Sequence, residues 1–162
     1  MPAGNSNSIY ERNRKAAKDN ETLLWRALCD DPATAIDYIE PDCVVVNPLI
    51  HPDKSPEALT AKSSPSLSEA LEKLAQSSHA WTSYKIHKHD PEPAIAEVEM
   101  MAVQIIYRIS LFRERRHRHG GGESEEGGEG ANLQTVEAFC TSTWRQGASG
   151  DWRLCAQSLV PV

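Results

Sequence analysis

Gln134–Arg145, which contains Cys140-Thr141-Ser142-Thr143-Trp144-Arg145, runs into Gly147-Ala148-Ser149-Gly150 and then into Asp151-Trp152-Arg153-Leu154. Two β-rich stretches on either side of a glycine-bounded turn predict a terminal hairpin, with strands over Gln134–Arg145 and Asp151–Leu159. Working backwards, Ala94–Arg113 is apolar and β-rich, but far longer than the ~5–6 residues of a typical strand. Its alternation breaks between Met100 and Ile106, which predicts a strand bent by a bulge. Trp81–His89 reads as the strand before it, turned at Asp90-Pro91-Glu92-Pro93. Earlier still, Cys43-Val44-Val45-Val46 is a β-branched run that predicts a buried strand, ended by Asn47-Pro48.

The first half is helical. From Ile9, the residues Ala16, Ala17, Leu23, Leu24, Ala27 and Leu28 fall near the i, i+3, i+4, i+7 template and share a face. Asp31-Pro32 offers an N-cap followed by proline, opening a short helix with Ile36 and Ile39 that stops at Glu40-Pro41. Residues 49–65 hold Pro52, Pro56 and Pro65 without a period and predict a long loop of the kind that serves as a lid. Ser66 and Glu69 form a capping box for a third helix striped by Leu67, Ala70, Leu71 and Leu74. The fold class is therefore α+β, with helices first and a strongly curved mixed or antiparallel sheet after them. Residues 1–8 read as a disordered N-terminus and 9–162 as a single domain. The Arg/His tract and Gly/Glu tract within 115–132 cannot bury apolar surface and predict a mobile loop.

At 162 residues the chain is long enough to bury a core, and its net charge of −6 argues against general nucleic-acid binding. No apolar run approaches the ~20 residues of a membrane span, and the polar first residues lack a signal-peptide core. These features predict a soluble, cytoplasmic protein with no membrane or nucleic-acid partner. Cys29, Cys43, Cys140 and Cys155 show no metal or redox spacing and read as reduced, buried residues. A terminal hairpin centred on Gly147–Gly150 would bring Cys140 and Cys155 opposite or nearly so, which leaves a disulfide open.

Three segments carry a resemblance: Leu24-Trp25-Arg26-Ala27-Leu28 with Cys43-Val44-Val45-Val46-Asn47-Pro48; Trp81-Thr82-Ser83-Tyr84-Lys85-Ile86 with Ile106-Tyr107-Arg108-Ile109; and the terminal hairpin. In this order they resemble the nuclear transport factor 2-like superfamily, particularly its SnoaL-like and ketosteroid-isomerase-like branches. The resemblance implies a cone-shaped α+β barrel, with the sheet wrapped around the N-terminal helices, an apolar pocket at the wide end, and a homodimer. It does not settle activity, because the superfamily spans isomerases, cyclases, dehydratases and transport factors.

Two positions depart from the enzymes of that superfamily. Where an isomerase carries its general-base aspartate before proline, this chain has Asn47, and an amide has no basic lone pair to take a proton. Where relatives carry His-Gln near the C-terminus, this chain reads Cys155-Ala156-Gln157-Ser158. No catalytic residue is therefore assigned, and no cofactor. His87 and His89 share a strand face; a hairpin about Asp90–Glu92 would set Lys85 and His87 near Glu99 and Glu97 as solvated charge pairs rather than as a metal site. Tyr84, Ile86, Val98 and Met100 would face the core. Trp25, Asn47, His79, Trp81, Tyr84, Met100, Tyr107, Ser142, Trp144 and Gln157 are the candidates to line a ligand pocket. The sequence thus points to a cone that binds an apolar small molecule or dimerises. The rival is an isomerase, cyclase or dehydratase acting on an apolar metabolite, which would need an acid/base group inside the cavity such as His79, Tyr84, Tyr107 or an inward glutamate.

Overall fold

The computed structural model describes residues 5–48, 50, 58–77, 80–114 and 133–162. The 115–132 segment, the histidines His79, His117 and His119, residues 1–4, and most of the proline-rich stretch before Ala58 lie outside them. Helix α1 spans Asn5–Asp30, beginning four residues before the apolar pattern does. A 3-10 helix follows over Pro32–Tyr38, with the Asp31 carboxylate capping the Ala33 amide as the Asp-Pro pair predicts. Strand β1 is Ile39–Val46 and helix α2 is Leu67–Gln76. Ile39, expected in the helix, is the first residue of β1. The α2 capping box forms in full, the Ser66 hydroxyl accepting from Glu69 N–H and the Glu69 carboxylate from Ser66 N–H. Leu67, Ala70, Leu71 and Leu74 are all buried.

The remaining strands are β2 (Ser83–Ile86), β3 (Ala94–Val98), β4 (Ala102–Glu114), β5 (Leu133–Gln146) and β6 (Trp152–Pro161). They make one mixed sheet in the order β1-β6-β5-β4-β2, with β3 also on β4; β1 runs parallel to β6 and the other pairs are antiparallel. The sheet does not close into a barrel, and β1 stands at one edge with β2 and β3 at the other. Alternation sorts its faces. Val103, Ile105, Tyr107, Ile109 and Leu111 of β4, and Ala138, Cys140, Ser142 and Trp144 of β5, point inward and are buried. Against them packs the α1 face of Ala17, Leu24, Trp25 and Leu28.

Three expectations about the sheet change. Ala94–Arg113 is a hairpin rather than one bent strand: it reverses at Glu99-Met100-Met101, with Glu99 in the left-handed region at φ 55°. No glycine, proline or asparagine marks that reversal, so turn chemistry could not reveal it. Consequently Val98 and Met100, expected on the core wall, are exposed. Strands β2 and β3 do not pair with each other. Both lie on β4, β2 opposite residues 109–112 and β3 opposite 102–106, so residues 87–93 are an insert in one interrupted edge strand. Lys85 is therefore opposite Ser110, not Glu99. Finally, the β5–β6 turn forms as expected, with Gly150 at φ 86°, but the pairing of Gln146 with Trp152 already carries Cys140 past Cys155, and a bulge after Thr143 moves it one residue further, to Leu159. Cys155 sits at that bulge, its thiol donating to Thr143 O at 3.2 Å, and both cysteines are free.

Candidate functional site

Asn13, Ala17, Glu21, Leu24 and Leu28 follow the 3–4 residue spacing of one helix face, and all five are buried. Glu21 is thus an acid set within an apolar stripe, aimed at the inner face of β4 and β5. Burial of a carboxyl demands hydrogen-bond partners, and the sheet supplies them. Tyr107 Oη donates to Oε1, Ser142 Oγ donates to Oε1 at 2.7 Å, and Trp144 Nε1 donates to Oε2 at 2.5 Å. The Cys140 thiol lies 4.0 Å from Oε1.

A second tier continues the direction of donation. Trp25 Nε1 donates to Tyr107 Oη at 2.5 Å, Gln157 Nε2 to Ser142 Oγ at 3.3 Å, and Asn47 Nδ2 to Gln157 Oε1 at 3.3 Å. Each of these bonds is aligned toward one carboxyl group. Burial drives the Glu21 pKa above the ordinary glutamate value, and the bonds from Tyr107, Ser142 and Trp144 offset part of that rise. Tyr107 is held well above the ordinary phenol value, first by burial and then by Glu21, so it remains an O–H donor.

Glu21 and Tyr107 also form the inner end of a cleft of about 510 Å³. Its walls are α1 (Lys18, Glu21, Thr22), the end of β2 with the 87–93 insert (Ile86, Lys88, His89, Glu92, Pro93) and β4 (Ile105, Tyr107). That volume lies within the ~300–1,000 Å³ of small-molecule sites. Ile86, Pro93 and Ile105 supply its apolar wall, and the other residues that line it are polar or charged.

No family model and no curated protein matches the sequence. Solved structures do match in shape. A nuclear transport factor 2-like superfamily protein from Salmonella enterica superposes with a TM-score of 0.60 at 11% identity, over 98% of this chain and 93% of that one. The hub of the S. rosetta CaMKII gives 0.61 at 12% identity over 100% of both chains. A protein designated a scytalone dehydratase from Novosphingobium aromaticivorans gives 0.65 at 11% identity, over 96% of this chain and 88% of that one. The chain has the nuclear transport factor 2-like cone fold.

Within this cone, six of the ten sequence-chosen residues meet around Glu21: Trp25, Asn47, Tyr107, Ser142, Trp144 and Gln157. Tyr84 lies beside them, its ring centroid 6.5 Å from that of Trp25 and its hydroxyl donating to Thr22 O. Trp81 is buried apart from the group, under the Arg113 guanidinium at 4.8 Å, and its Nε1 has no partner among the described residues. Met100 is 58% exposed in the β3–β4 turn. His79 is outside the described residues. Sequence reasoning missed Glu21 itself, although an acid at i+4 from Ala17 and i−3 from Leu24 was the available signal.

Another polar group occupies the opposite face of the cone's sheet. His87 Nε2 is 2.7 Å from Ser110 Oγ, which donates to Glu137 Oε1 at 2.5 Å, and Arg108 Nε donates to Glu137 Oε2 at 2.8 Å. These bonds, first that of Ser110, hold the Glu137 carboxyl below its usual range. Since the Ser110 proton is committed to Glu137, His87 does not act on it as a base, and the arrangement lacks the order of a nucleophilic triad. His87 is thus joined to Ser110 and Glu137, not to Glu97. The thiols are no better nucleophiles, for burial pushes Cys29 up to about 11 and Cys43 to about 12. Among the described residues no three His, Cys, Asp or Glu side chains converge for a metal, and no helix is long and apolar enough to cross a membrane.

Proposed function

We propose that this protein is a small-molecule-binding cone whose ligand enters between α1 and the 87–93 insert and ends against Tyr107 and Glu21. The supporting observation is a hydrogen-bonded carboxyl at the inner end of a cleft walled by Ile86, Pro93 and Ile105. Binding is favoured over proton transfer by how fully Glu21 is engaged: Oε1 holds Tyr107 and Ser142, and Oε2 holds Trp144. A general base must reach the proton it removes within ~2.6–3.2 Å, and a substrate would have to displace one of these donors first. Native mass spectrometry of the purified protein tests the reading. A retained small molecule, lost in a Thr22→Trp variant that fills the cleft, supports it; ligand retention unaffected by Thr22→Trp contradicts it.

A second reading, an isomerase, cyclase or dehydratase acting on an apolar metabolite, is favoured by the raised pKa of Glu21, which suits a general acid, and by the designation of one structural neighbour as a dehydratase. Turnover abolished by Glu21→Gln in a protein that still binds its substrate would establish it.

Self-association belongs to the same proposal. The outer sheet face carries exposed Val44, Ile106, Phe139 and Val160 on four strands, beside the Arg108–Glu137 pair, and a second copy laid on that face would cover them. The neighbouring CaMKII hub supports assignment of a homodimer or larger homo-oligomer to this chain. Four free cysteines fit a cytoplasmic, reducing location.

A further inference from the structure

We infer that the cleft takes an amphipathic monoanion, with its charged head at the mouth between Lys18 and Lys88 and its uncharged end at Tyr107. This inference rests on the reading of the cleft as a ligand site. The chain as a whole is acidic, at −6. Its cleft mouth is not. Lys18 on α1 and Lys88 on the insert stand on the rim with His89, against Glu92.

Several basic side chains elsewhere are neutralised by carboxylates, Arg14 by Glu97, Lys15 by Asp19, Arg108 by Glu137 and Arg145 by Glu40. Lys18 and Lys88 make no ion pair among the described residues, even though Glu92 lines the same cleft. Two unpaired lysines against one glutamate leave the mouth with a net positive charge, a local field that favours an anion.

The inner end sets the opposite requirement. Glu21 is 2% exposed and already holds the donors that could have met an anion. A negative charge there would be buried with no free donor left to meet it, which is strongly unfavourable. The ligand's charge therefore has to stay outside, and its inner end has to be apolar or a neutral hydroxyl, which can donate to an oxygen there. Between the two ends Ile86, Pro93 and Ile105 offer apolar surface, with Thr22 beside them. The polarity of the site along its depth is cationic, then apolar, then neutral-polar, which is the complement of an anionic amphiphile entering tail first.

Isothermal titration of the full chain with octanoate, 1-octanol and octylammonium tests this assignment. Octanoate should bind at least about tenfold more tightly than 1-octanol, as expected from two partly exposed charge contacts, and octylammonium more weakly than either. The octanoate advantage should shrink in high salt and fall toward unity in the double variant Lys18→Gln/Lys88→Gln. Equal or tighter binding of 1-octanol, with all binding blocked by Thr22→Trp, overturns the charge assignment and leaves the cleft as a site. Binding of none of the three, or binding that Thr22→Trp does not disturb, overturns the cleft reading and this inference with it. Thr22 and both lysines are exposed, so these variants test the site and not the fold.

Discussion

Glu21 ties α1 to the sheet, because three donors from two strands end on it. Glu21→Ala leaves Tyr107, Ser142 and Trp144 buried without an acceptor, and should cost about 3–5 kcal/mol in chemical denaturation. Its titration has a definite sign. The folded pKa is raised by burial, so the folded state holds the proton more tightly than the unfolded chain. Its favourable contribution is complete below the ordinary glutamate pKa and is lost as pH rises through the raised value. Glu21→Gln should flatten the stability profile across that window, as followed by thermal melts from acidic to neutral pH; an unchanged slope would assign the pH dependence elsewhere. Asn47 and Gln157 of this network were legible through the family resemblance, and Tyr107, Ser142 and Trp144 because such side chains on the strands of a curved sheet suggest a lined interior. Glu21 was not, since an acid in a helix reads by default as part of the solvated face, and only its placement between Ala17 and Leu24 argues otherwise.

At the scale of elements, local chemistry predicted what local chemistry controls. The α2 capping box is written in Ser66 and Glu69, and Ser66→Ala should cost about 1 kcal/mol of stability in urea titration. The β3–β4 reversal is written nowhere, because Glu99-Met100-Met101 has none of the residues that favour a positive φ. Glu99 takes that conformation at φ 55° because the pairing of β3 along β4 demands it. Glu99→Gly should accordingly stabilise the protein by up to about 1 kcal/mol, read as a rise in Tm. The interrupted edge was hidden for a related reason. Strands adjacent in sequence usually pair, and nothing in Asp90-Pro91-Glu92-Pro93 says that β2 and β3 share β4 as a common partner instead.

For the molecule as a whole, periodicity sufficed to read α+β and the order of helices before sheet, because an apolar stripe and an alternating strand each need a partner face. Closure is a different matter: it depends on strand tilt and stagger across the entire sheet, and here β1 and β2 remain apart. The proposed self-association is tested at this scale too. Ile106→Lys/Val160→Lys places charges on the outer face, away from the Glu21 network. It should lower the molar mass measured by light scattering after size exclusion while leaving the melting curve cooperative. An unchanged mass would overturn the assignment of this face to self-association.

The seven residues between β2 and β3 have a further consequence. Because each flanking strand is anchored separately on β4, the length of the insert is uncoupled from the register of the sheet. Lengthening, shortening or replacing residues 87–93 would reshape one wall of the cleft and leave the core untouched. The scaffold therefore offers an adjustable jaw, through which the preferences of the proposed ligand site could change over an unchanged interior.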